Sequence, residues 1–187
     1  MLYEVEVRNI LKPQGYRKLD NYLKKHARLI EQKQEETICF RVKKGDLLLR
    51  RNDSEVKLTY KDRDVIQDIR AEMEILMGLN DFDAIQEILQ ALKFTIKMKW
   101  YKRRKIYRWQ GVIIALDNVK GQGLSMEMEK LVDGRLKKKA QIELQVRMIK
   151  LLNELNIKIY PKKDLTAMMQ YYHQHWTKSI KKNWIKI

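Results

Sequence analysis

Cysteine is almost missing from this chain: Cys39 is the only one, so neither an internal disulfide nor a thiolate metal cluster can form, and a reducing compartment is expected. Proline and glycine are scarce as well, at two and seven in 187 residues. That excludes flexible linkers and low-complexity tracts between folded units. No apolar run approaches the roughly 20 residues that a membrane-spanning helix needs. The amino-terminal LYEVEVR alternates at once and does not lead into an apolar signal core, so a cytoplasmic protein without a membrane partner is expected. What the chain does have is charge. Lys and Arg number 40 against 24 Asp and Glu, a net charge of +16. A field of that sign attracts nucleic acid, anionic surfaces and small polyanions alike, so it selects a sign and not a ligand.

The length suits a single domain over 1–187, strand-rich to about 132 and helical from about 134. Leu2 to Asn9 alternates as a strand, with Glu4, Glu6 and Arg8 on one face and Tyr3, Val5 and Val7 on the other. YRKLDNYLKKHARLIEQ, residues 16–32, predicts a helix through Leu19, Tyr22, Leu23, His26, Leu29 and Ile30. From Thr37 the period becomes two, and ETICFRV, DLLLRRN, EVKLTYKD and VIQDIRAEMEIL read as short strands joined by tight turns. LNDFDAIQEILQAL predicts a helix with Phe82, Ile85, Ile88, Leu89 and Leu92 inward. Three further strands follow, in FTIKMKWYKRRKIYRW, GVIIALDNV and LSMEMEKLV, before two carboxy-terminal helices. So many antiparallel strands with few helices between them predict a closed or nearly closed sheet, because closure removes exposed edges.

The second face of these strands carries charge throughout: Glu4, Glu6, Arg8; Lys57, Thr59, Lys61; Arg70, Glu72, Glu74; Lys102, Arg104; Asp117; Glu127, Glu129. Two assignments fit that alternation. The charges either face water around an aliphatic core, or line a wet tunnel wrapped by the apolar face. Two like charges a few ångströms apart repel by about 1 kcal/mol or less in water, so the pattern leaves both open.

YEVEVR resembles the ExExK signature of the CYTH superfamily, the triphosphate tunnel metalloenzymes that include class IV adenylyl cyclases, thiamine triphosphatases and inorganic tripolyphosphatases. The likeness continues in order through LLLRR, KLTYKD, IRAEME, KRRKIYR and IALDNVKGQGLSMEME, and PKKDLTAMM is similar to the family's closing helix. It covers essentially the whole chain. The resemblance implies an α+β fold, a closed eight-stranded antiparallel β-barrel with flanking helices, its charged faces turned inward. It implies a metal site for Mg²⁺ or Mn²⁺ formed by Glu4, Glu6, Asp117, Glu127 and Glu129, with Glu4, Glu6, Arg8 and Asp117 at the catalytic centre. Arg8, Arg50, Lys57, Lys61, Arg70, Lys102 and Arg104 would grip the phosphates.

Two positions depart from the family pattern. Arg8 stands where the family has Lys, which keeps the charge but removes a titratable amine. Leu48 replaces the first Arg of an LRIR-like strand and leaves Arg50 as the match on that wall. The resemblance implies a divalent-metal-dependent phosphohydrolase acting on tripolyphosphate, thiamine triphosphate or another organic triphosphate. Formation of cyclic AMP and pyrophosphate from ATP is one alternative. A non-catalytic module for polyphosphate, nucleotide or RNA is the other, with KSIKKNWIK and RLKKK supplying phosphate affinity and Tyr171, Tyr172, Trp176 and Trp184 supplying stacking. Nucleic acid is the less favoured partner, and a homodimer is left open.

Overall fold

A computed structural model describes residues 2–62 and 69–187, with the backbone alone for residues 2, 69 and 70. In chain order the elements are β1 (Leu2–Leu11), α1 (Pro13–His26), β2 (Arg28–Phe40), β3 (Asp46–Arg51), β4 (Val56–Lys61), β5 (Ile69–Met77), α2 (Asp81–Ala91), β6 (Ile96–Trp109), β7 (Val112–Val119), β8 (Gly123–Asp133), α3 (Lys137–Glu154) and α4 (Lys162–Ser179). The eight strands close into a barrel in the order β1-β5-β4-β3-β2-β6-β7-β8. Every neighbouring pair is antiparallel, and β8 returns to β1 over ten register positions from Leu2↔Asp133 to Leu11↔Leu124.

The hydrophobic core lies outside the barrel. The odd-numbered residues Val5, Val7 and Leu11 of β1 point outward with Ile114, Leu116, Leu124, Met126 and Met128, and pack under α1 and α3. A second cluster, from Ile38, Phe40, Leu49 and Val56, is covered by Phe82 and Leu89 of α2. Because side chains alternate along a strand, burying this set outward turns the charged set inward. The wet-tunnel assignment is therefore the one the chain adopts.

Two expectations need correction. The helix read over 16–32 starts at Pro13, whose fixed φ suits the first helical position, and ends at His26. Leu29 and Ile30 belong to β2 and are about half exposed, at 49% and 45%. Cross-strand pairing of β2 with β6 from Arg28↔Arg108 to Phe40↔Ile96 overrides the local helical spacing. In α2, Phe82 and Leu89 face the barrel while Ile88 and Leu92 are exposed: a helix over one edge of a curved sheet buries only a narrow stripe. The strand read from 65 is described from Ile69 onward, and its residues 65–68 lie outside the described residues. The KKGD turn between β2 and β3 requires its glycine, since Gly45 has φ +78° and an added Cβ would sit 2.0 Å from the Lys61 carbonyl oxygen.

A charged tunnel as candidate active site

Two cavities run through the barrel, of about 390 and 170 Å³. They share Glu4, Arg50, Arg104 and Glu129 as wall residues, so they are consecutive reaches of one lumen. The register of β1 and β8 builds the acidic wall. Glu6 lies directly opposite Glu129, and Arg8 directly opposite Glu127. Like charges facing each other across strands are destabilising, and here a third joins them. One carboxylate oxygen each from Glu4, Glu6 and Glu129 lies within 4.8 Å of the others. Burial pushes the Glu129 carboxyl up to about 7, with Glu4, Glu127 and Glu6 adding to the rise against the pull of Arg104. A cluster that favours a proton at neutral pH is short of positive charge.

The other two acidic residues of the expected metal set stand apart from that trio. Asp117 accepts from Arg104 with both oxygens, at 2.7 Å from Nε and 2.5 Å from Nη2. Glu127 accepts from Arg8 Nε at 2.9 Å and from Arg104. Burial raises the Glu127 carboxyl, but the Arg104 and Arg8 guanidiniums outweigh it and hold it well below the usual carboxylate range. Arg8 bridges Glu6 and Glu127. Its burial opposes the charge, and Glu6 and Glu127 overcome it, so it stays protonated throughout.

The basic wall comes from β3, β4 and β6. Lys61 Nζ reaches Glu4 at 2.7 Å and Glu72 at 3.1 Å. Lys57 bridges Glu55 and Glu74, each at 3.2 Å. Lys102 pairs with Glu35 at 3.2 Å. Burial works against Glu35, yet Lys102, Arg50 and Arg104 lower its pKa to about 2. Arg50 differs from the rest: it lines both cavities, makes no ion pair among the described residues, and has a buried Nε without an acceptor. Arg70 lies opposite Glu4 along the backbone; its side chain is outside the described residues.

Sequence reasoning missed Lys33 and Glu35, which line the smaller cavity. Both fall between the helix read over 16–32 and the strands read from Thr37, although the alternating charges of QKQEET carried the signal. It also missed how the larger mouth is covered. From α4, Met168, Met169, Tyr172 and His173 line that end, and Tyr172 Oη donates to the Lys99 carbonyl at 3.1 Å. Of the expected stacking residues, Tyr172 is thus buried in that seam, Tyr171 stacks on His175 at 4.3 Å, and Trp184 lies under Arg103. Cys39 is buried beside Asp46 with its thiol pushed up to about 12 by burial and that carboxylate. No helix among the described residues is long and apolar enough to cross a membrane.

Comparison with known proteins points the same way as the tunnel. The family model described as the CYTH domain matches residues 2–162. A Methanocaldococcus jannaschii protein provisionally named an adenylate cyclase is 27% identical over 114 residues, 61% of this chain and 65% of its own length. The chain thus spans just under two thirds of that relative. Among solved structures, a Pyrococcus horikoshii protein superposes with a TM-score of 0.68 at 26% identity, covering 85% of this chain and 93% of its own. A provisional adenylyl cyclase from Hippeastrum, described as having a dominant triphosphatase activity, superposes at 0.56 with 18% identity over 84% of this chain and 89% of its own. That last likeness shows the fold alone.

Proposed function

The chain belongs to the CYTH domain family, and from that premise we propose that it is a divalent-metal-dependent phosphohydrolase acting on a triphosphate held in the tunnel. One observation carries the reading: three carboxylates converge within 4.8 Å on one wall, and Arg50, whose buried Nε has no acceptor among the described residues, stands at the junction of both cavities. Carboxylate oxygens are the donors that hard Mg²⁺ or Mn²⁺ ions take. Glu4, Glu6 and Glu129 are the residues that would hold the ion, and a positive charge there would offset the burial and the like charges that raise the Glu129 carboxyl. Such an ion, when bound, neutralises charge on phosphate oxygens and polarises them toward attack.

The remaining residues bind and orient. Arg50 offers its free guanidinium to a phosphate oxygen. Lys102 and Lys61 exchange Glu35 and Glu4 for phosphate, while Arg104, fixed by Asp117 and Glu127, presents a rigid planar fork. Burial in the closed barrel strengthens each of these contacts over its value in water. Asp117 accordingly serves to position Arg104.

The test is a panel of tripolyphosphate, thiamine triphosphate and ATP with Mg²⁺ or Mn²⁺, resolving orthophosphate from pyrophosphate and cyclic nucleotide. Orthophosphate release that disappears in Glu6→Gln and Glu129→Gln is expected. Cyclic AMP with pyrophosphate would assign the cyclase reaction instead. Tight binding with no turnover of any compound would leave a binding module and overturn the enzymatic reading.

A further inference from the structure

Helix α3 buries one face and leaves the opposite one bare. Ala140, Leu144, Met148, Leu151 and Leu152 pack onto β1 and β8. On the other side Ile142, Val146 and Ile149 are 63%, 60% and 43% exposed. Positions i, i+4 and i+7 fall on one line of a helix, and Ile142 and Ile149 stand one heptad apart, the seam spacing of paired helices. β-branched side chains lose rotamer freedom in a helix. An exposed run of them costs helix stability and gains nothing from the chain's own core.

The charges beside this stripe select what covers it. Glu143 and Lys150 flank it on one side, and Lys139 and Glu154 stand near its two ends. Both oppositely charged pairs are centred on the same point, between Val146 and Arg147. A second α3 laid antiparallel about a two-fold axis there sets Glu143 against the partner's Lys150 and Lys139 against the partner's Glu154, and symmetry repeats each pair. A parallel copy would set each charge against its like, which repels. Lys139, Lys150 and Glu154 make no ion pair among the described residues, and the ion pairs of Glu143 there are long, with Arg147 at 3.5 Å and Lys130 at 3.8 Å. These groups are open to a partner.

We propose that α3 is the face by which two copies of this chain pair, antiparallel, about a two-fold axis beside Val146. Val146 then meets the partner's Val146, and Ile142 and Ile149 close over that contact from both sides. The helix has 18 residues and is about 27 Å long. One helix pair of that length lies at the low end of specific interfaces, below roughly 1,200 Å². The dimer is therefore weak, with a Kd of about 10 to 100 µM, and dissociates in dilute solution. None of these residues lines the tunnel, so the pairing stands or falls apart from the triphosphate reading.

Sedimentation velocity of the full-length chain from about 5 to 500 µM tests the pairing, and a concentration-dependent shift from monomer to dimer is expected. Val146→Glu puts two carboxylates on the axis and should weaken association by about tenfold or more, with a thermal melt matching wild type because the position is exposed. Glu143→Lys and Lys150→Glu, each alone, should weaken it by about fivefold or more, and both changes in one chain should return Kd to within about twofold of wild type. A chain still monomeric at about 500 µM would leave the stripe to a different partner and overturn the inference. A dimer that Val146→Glu leaves intact would overturn it by placing the contact elsewhere. A double exchange that fails to restore pairing would overturn it by breaking the antiparallel register.

Discussion

Replacing Glu35 with Gln tests the electrostatics of the tunnel without touching the carboxylate trio. Glu35 sits on β2 with its side chain 9% exposed, and its Oε1 accepts from Lys102 Nζ at 3.2 Å and from Thr37 Oγ1 at 3.2 Å. Its pKa falls from 4.5 to about 2. A depressed carboxyl stabilises the fold above its unfolded value and loses that contribution as pH drops toward its folded value. The displacement corresponds to roughly 3 kcal/mol at pH 7, to under half of that near pH 3, and to almost nothing well below pH 2. Wild type and Glu35→Gln should therefore differ by about 3 kcal/mol in urea unfolding at pH 7, or by roughly 6–12 °C in melting temperature, and the gap should narrow from about pH 4.5 downward. The variant also leaves Lys102 with no anion to give up, so tripolyphosphate should bind several-fold more tightly. A gap below about 1 kcal/mol at pH 7, or one that stays constant down to pH 3, would refute the idea that Glu35 is held ionised by the cations around it.

Two other perturbations separate ligand residues from structural ones. Arg50→Met removes a buried Nε that has no acceptor, so the folded state should change by no more than about 1 kcal/mol, while the calorimetric Kd for tripolyphosphate should rise by about 30- to 100-fold, the worth of a charge-assisted bond; several kcal/mol of destabilisation with unchanged binding would make Arg50 a structural residue. Glu129, raised to about 7, keeps its proton below that pH in the folded state and loses it sooner when unfolded, so in chelator its contribution to stability declines as pH climbs from 4.5 through 7. Mn²⁺ must displace that proton, and Mn²⁺ affinity by calorimetry should increase about tenfold per pH unit below 7 and level off above it; a flat profile in wild type, or an unaltered one in Glu129→Gln, would remove Glu129 from the metal site.

How far the sequence carried depends on whether local pattern and tertiary context agreed. In β1, β6 and β8 the period-two alternation is strong and unopposed, and YEVEVR and LSMEMEKL could be placed on the lumen to the residue once inside and outside were known. Deciding which side was inside needed the helices. Alternation alone cannot distinguish a charged outer face from a charged lumen, whereas the packing of Val5, Val7, Met126 and Met128 under α1 and α3 can. In β2 the local signal misled, because Leu29 and Ile30 continue the spacing of α1 and only the long pairing with β6 makes 28–36 extended. Glu35 and Lys33 were lost with that boundary. Asp117 was legible as a lumen residue but not as the partner of Arg104, since a side-chain pair between β6 and β7 depends on the register Arg104↔Asp117.

Net charge was the least transferable clue. The chain carries +16, yet the walls of the two cavities contain nine carboxylates and nine Lys and Arg side chains among the described residues. The basic excess lies outside the tunnel, where water and salt screen it, and the lumen itself is close to neutral. A triphosphate entering such a lumen finds almost every cation already holding a carboxylate, so each phosphate contact has to release an acidic side chain. The released carboxylates need a positive partner in turn, and in a closed barrel water supplies little compensation. A polyanion that arrives with a divalent cation resolves both demands: the phosphates take over the guanidinium and ammonium groups, and the ion takes over the acidic wall. Tunnel charge balance, and not the charge of the whole chain, is what ties ligand and metal to each other.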